Sequence, residues 1–138
     1  MTANPQQSTG EHLLFIRGTH WNNSLSPTEL QSIMVDFYGW VEGLQSQGIL
    51  LGAQPLLEAG KLVSGPQCLV TDGVFAESKE AIAGYFLLAV NSLEEAVRFA
   101  QQCPILSYGA QIEVRPIADF CRPMAEVNAF QILQPTSP

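Results

Sequence analysis

The residues of this chain that could do chemistry are few and mostly charged. Asp72 stands in a Thr71-Asp72-Gly73 step, and an aspartate beside a pocket can act as general acid or base once burial and neighbours move its pKa toward neutrality. The same Asp-Gly pair also makes tight turns, because Gly accepts positive φ and Asp bonds to the backbone ahead of it. Glu77 and Lys79 lie two residues apart, so an extended segment would present both on one face, where they could clamp a polar ligand. As a solvated ion pair they would contribute only about 0–1 kcal/mol. Arg17 ends the first apolar segment, while Glu113 and Arg115 share one face of the last. Charges turned toward a buried surface need partners, so a ligand-binding face and a salt-bridged seam are both open readings. His20 and Trp21 form a polar and aromatic pair suited to a pocket mouth, although a lone loop histidine is ordinarily just solvated. Asp72 is thus the catalytic candidate, and Arg17, Glu77, Lys79 and Arg115 are the ligand-binding candidates.

Several chemistries find no support. Metal-ligand spacings of the H-x-x-x-H or H-E-x-x-H kind are absent, so no metal is expected. Nor do the glycines form a phosphate loop or a nucleophile elbow, and no cofactor is implied. Cys68, Cys103 and Cys121 are odd in number and lack a C-x-x-C pair, so each is read as a buried, inert thiol. Six Lys and Arg against 13 Asp and Glu give a formal charge of −7 in 138 residues, the wrong sign for nucleic acid or anionic lipid. The longest apolar run, Ala81 to Val90, is ten residues, about half of what crosses a bilayer. Residues 1–10 carry no Lys, Arg or apolar core, so no secretory signal is expected and the location is read as cytoplasmic.

The elements that must position these residues follow from periodicity. His12 to Arg17 is a short apolar strand stopped by Gly18. Ser26-Pro27-Thr28-Glu29 starts a helix with a cap, a proline at its first position and a capping-box glutamate. Its stripe of Leu30, Ile33, Met34, Phe37, Val41 and Leu44 runs to about Gln47, and Gly48 ends it. Tyr38 and Trp40 flank that stripe and are read as core or interface. Ile49 to Ala53 is a second strand, Leu62 to Thr71 a hairpin about Gly65-Pro66, and the Ala81–Val90 run a further strand. Ser92 and Glu95 repeat the capping box on a helix that stops at Cys103-Pro104. In the final strand Ile112, Val114 and Pro116 alternate with Gln111, Glu113 and Arg115. Strand, helix, strand, inserted hairpin, strand, helix, strand is the split βαβ order of a ferredoxin-like α+β fold with an antiparallel sheet. The first and last strands are expected on opposite sides of that sheet. Residues 1–11 are read as a flexible tail, 12–117 as the domain, and 118–138 as a second tail whose Phe120, Phe130, Ile132 and Leu133 pack on something.

The stretch Val70-Thr71-Asp72-Gly73-Val74-Phe75-Ala76-Glu77-Ser78-Lys79-Glu80, with Gly84-Tyr85-Phe86 and Glu113-Val114-Arg115-Pro116, resembles the DGPF-type branch of the YCII-related proteins. The likeness extends over roughly residues 12–117. It implies a ferredoxin-like fold paired through its sheets into a dimeric α+β barrel, hence a homodimer. Val74 stands where the family motif has proline, which frees φ and restores an amide donor. The His-Asp pair proposed as catalytic in shorter relatives has no counterpart, because neither His12 nor His20 falls at the helix start. Two functions are left open: a small-molecule-binding protein or enzyme using acid–base residues in a pocket beside the barrel, and a non-enzymatic dimerisation or protein-interaction module.

Overall fold

A run of well-capped local elements accounts for most of the architecture. The computed structural model describes residues 8–18, 20–73 and 81–126. Strand β1 (Ser8–Arg17) leads into helix α1 (Pro27–Ser46). The Ser26 hydroxyl accepts from the Glu29 amide at 3.1 Å and the Glu29 carboxylate accepts from the Ser26 amide at 3.0 Å, so two amides left free by the helix start are satisfied reciprocally. At the other end Gly48 has φ +73°, a conformation that turns the chain sharply toward β2 (Leu50–Pro55). Then come β3 (Lys61–Ser64), β4 (Leu69–Asp72), β5 (Ile82–Leu88), helix α2 (Leu93–Gln101), a 3₁₀ turn at Pro104–Tyr108, β6 (Gln111–Ala118) and a short α3 (Arg122–Glu126). Ser92 caps α2 by accepting from the Glu95 amide at 3.1 Å.

Four strands form one antiparallel sheet in the order β2-β5-β1-β6, and β3 and β4 pair as a separate hairpin. This is the ferredoxin-like arrangement. It corrects one expectation: the first and last strands are neighbours, with Phe15 opposite Glu113 and Leu14 opposite Val114. Each strand–helix–strand unit steps over one strand, and two same-handed crossovers bring the last strand down on the far side of the first. The alternation read in β6 is the register observed.

Leu14, Ile16, Phe86 and Leu88 on one sheet face form a single core with Ile33, Trp40 and Leu44 of α1 and Ala96 and Ala100 of α2. Both helices therefore cover the same face. His12 is buried there too, its Nδ1 donating to the Val90 carbonyl at 3.1 Å. The opposite face carries Leu13, Phe15, Tyr85 and Leu87, none fully buried.

Three boundaries differ from the sequence reading. Ser8 to Glu11, assigned to the tail, belong to β1; the positive φ of Gly10 and a register irregularity between Ser8 and His12 break the periodicity that would mark them. Ala118 and α3 fall in the expected second tail, whose Phe130, Ile132 and Leu133 lie outside the described residues. Cys68 is exposed, contrary to the buried reading, because it sits in the turn of a hairpin standing off the core. Cys103 is buried, and desolvation pushes its thiol up to about 11.

Two outcomes follow from these local features. Hydrogen bonds from Ser26 hold the Glu29 carboxyl below its ordinary value. The stability this contributes is present above the usual glutamate range, about pH 4.3, and is lost as pH falls through the lower folded value. Ser26→Ala should cost about 1 kcal/mol in urea unfolding at neutral pH and flatten the acid limb of stability against pH. A thiol reagent should label Cys68 rapidly in the native protein while Cys103 reacts only on unfolding; simultaneous labelling of the two would contradict the burial described.

Candidate functional site

Where α1 crosses the β2–β5 side of the sheet, its apolar stripe does two jobs. Ile33, Trp40 and Leu44 fill the core. Met34, Phe37, Tyr38 and Val41, spaced three and four residues apart along one flank, instead wall a cavity of about 310 Å³. From the sheet come Ile16, Ala53, Pro55, Gly84 and Phe86, and Trp21 and Ile105 complete the lining. Register explains the floor: Ala53 lies opposite Phe86, and Pro55 and Ile16 both lie opposite Gly84. Gly84 is required by close approach, since a Cβ there would stand 2.9 Å from the Gln54 carbonyl oxygen. The aromatic wall is braced by Phe37 and Trp40 against Phe86, with ring centroids 6.1 and 5.2 Å apart, and by the Trp40 indole donating to the Phe99 carbonyl at 3.0 Å. No charged side chain lines this cavity among the described residues. It suits an apolar, ring-sized body.

At one end of the pocket two chain segments are joined by charge. His20, beside Trp21, places Nε2 3.9 Å from Oε1 of Glu58, three residues beyond Pro55. The His20–Trp21 pair thus lies by the pocket, with a carboxylate partner that nothing in the spacing of the sequence marks.

The charged candidates lie elsewhere. Arg17 Nε donates to Glu113 Oε1 at 2.8 Å, and Arg115 Nη1 stands 3.6 Å from Glu113 Oε2. One carboxylate is therefore held between two guanidinium groups on the outer sheet face, opposite the helices. Asp72 ends β4 and pairs with Lys61 across the hairpin, its side chain 84% exposed. Glu77, Lys79 and Val74 lie outside the described residues. Arg17 and Arg115 are brought together, Asp72 is not brought to them, and none of the three lines the pocket.

What the sequence reading missed is the pocket wall itself, because a helix stripe of Met, Phe and Val reads as core whether or not a strand closes over it. The one available signal was width: with Tyr38 and Trp40 added, the apolar arc on α1 exceeds what a single contact face needs. Among the described residues no three His, Cys, Asp or Glu side chains are grouped to hold a metal, and no helix is long and apolar enough to cross a membrane.

The chain was compared with known proteins. The model of the YCII-related domain matches residues 13–121. An uncharacterized protein of Rhizobium meliloti (strain 1021) is 39% identical over 56 residues, 40% of this chain and 45% of that relative, so the match spans less than half of the relative's length. Among solved structures, the 5-chloro-2-hydroxyhydroquinone dehydrochlorinase of Burkholderia phenoliruptrix AC1100, in complex with 2,5-dihydroxybenzoquinone, is similar at a TM-score of 0.43 and 16% identity, over 76% of this chain and 90% of that one.

Proposed function

The chain belongs to the YCII-related family, and we propose that it is a small-molecule-binding protein, or an enzyme on a small molecule, whose ligand lays an apolar ring-sized body between α1 and the sheet. The observation that carries this reading is the cavity of about 310 Å³ with four aromatic side chains, Trp21, Phe37, Tyr38 and Phe86, in its lining. Pockets of this size take small ligands, and apolar cavities about half as large take up benzene. The reading includes a cytoplasmic setting. Ethylbenzene added to the full chain should shift the Trp21 indole resonance in a saturable way, and Ala53→Leu, which grows a side chain into the cavity, should weaken that binding at least tenfold. Unsaturable shifts, or equal binding by the variant, would remove the pocket from the function.

The charged candidates enter at a different place. We propose Asp72 as the acid–base group, and Arg17, Glu77, Lys79 and Arg115 as ligand contacts, only for a ligand portion that extends beyond the cavity, since Asp72 is on the hairpin and both arginines are on the outer sheet face. Asp72→Asn should leave ethylbenzene affinity unchanged; a substantial loss would instead bring Asp72 within reach of the pocket.

A second reading, a dimerisation or interaction module, is favoured by the uncovered sheet face. Leu13, Phe15, Tyr85 and Leu87 there surround the Arg17–Glu113–Arg115 cluster, and an apolar patch of this kind on a sheet calls for cover. We propose a homodimer closed through these faces into an α+β barrel. Light scattering at micromolar concentration should give twice the chain mass, and Phe15→Glu should halve it; a wild-type monomer would overturn the barrel.

A further inference from the structure

We propose that His20 and Glu58 are the polar end of the pocket's ligand site, and that its ligand is an apolar ring-sized molecule carrying a hydroxyl group that bridges the two side chains. The inference rests on the pocket reading above and adds the ligand's one polar group. The cavity lining contains no charged residue among those described, so a ligand's polar atom must find its partner where the lining ends. His20 follows the strand that contributes Ile16 and adjoins Trp21, while Glu58 lies three residues past Pro55, so the pair joins the two segments that leave the pocket.

The separation selects the chemistry. At 3.9 Å, Nε2 and Oε1 are too far apart to hydrogen-bond directly, yet one oxygen between them can reach both at ordinary hydrogen-bond lengths. Half-exposed side chains at 44% and 56% are open to such an oxygen. A ligand carboxylate would face the Glu58 carboxylate, in a chain of net charge −7, and be repelled. A carbonyl only accepts and leaves Glu58 unanswered. An ammonium only donates and would meet any proton held on His20 Nε2. A hydroxyl accepts from the imidazole N–H and donates to the carboxylate, which matches both partners at once.

The test compares 4-ethylphenol with ethylbenzene, which differ by that hydroxyl, binding to the full-length chain by calorimetry with the Trp21 indole resonance as a site marker. Both should occupy the pocket, the phenol about tenfold more tightly, the size of one or two net hydrogen bonds. His20→Ala and Glu58→Ala should each erase the difference while leaving ethylbenzene affinity unchanged, and Glu58→Gln, which keeps an acceptor, should retain part of it. Equal affinities in the wild type, or a preference surviving both alanine variants, would overturn the bridge and leave the apolar pocket standing. Absence of saturable binding by either probe would overturn pocket and bridge together.

Discussion

Phe37 and Trp40 of α1 meet Phe86 of β5 with ring centroids 6.1 and 5.2 Å apart, and this contact sets how α1 lies over the sheet. Large rings at the centre of the crossing seat the helix on β5, the strand between β2 and β1. Toward edge strand β2 the facing residues are small or lack side-chain bulk, namely Ala53, Pro55 and Gly84. A helix propped on aromatic rings cannot descend onto small residues beside them, because interiors accommodate shape only within van der Waals contact. The space left is the pocket.

Gly84 plays a part in both stability and function. Its lack of a Cβ lets β2 approach to 2.9 Å of where that atom would be, and it also leaves the floor of the cavity flat. Close strand approach and an open floor are the same fact seen from the sheet and from the ligand. The Trp40 indole bond to Phe99 ties this region to α2, so the two helices hold the wall as one unit.

Charge is distributed around this apolar site rather than within it. Glu113 is occupied by Arg17 and Arg115 on the outer face, and Asp72 by Lys61 on the hairpin. Each carboxylate is answered by a cation nearby, which is how charges at partly covered surfaces are kept inexpensive. The His20–Glu58 pair is the exception in position, since it sits at the end of the cavity. Its 3.9 Å gap is too wide for a direct bond, and it gives an otherwise apolar site a direction.

Much of the fold was legible in the chain. Ser26, Pro27 and Glu29 announce α1, Ser92 announces α2, and the alternation from Gln111 to Ile117 assigns a face to every residue of β6, because capping and period are set by neighbours a few residues away. Strand adjacency was not legible. Whether β6 lies beside β1 depends on how two crossovers share one sheet face, which no local pattern encodes. The site followed the same division. Trp21 and His20 could be singled out by type, and the αβ order by spacing, but Met34, Val41 and Ala53 became a pocket wall only when β2 and α1 were brought face to face. Glu58 acquired a meaning only by meeting a histidine 38 positions earlier. Local hydrogen bonding and periodicity are written in consecutive residues; cavities and ion pairs are properties of surfaces that exist only after distant segments have packed.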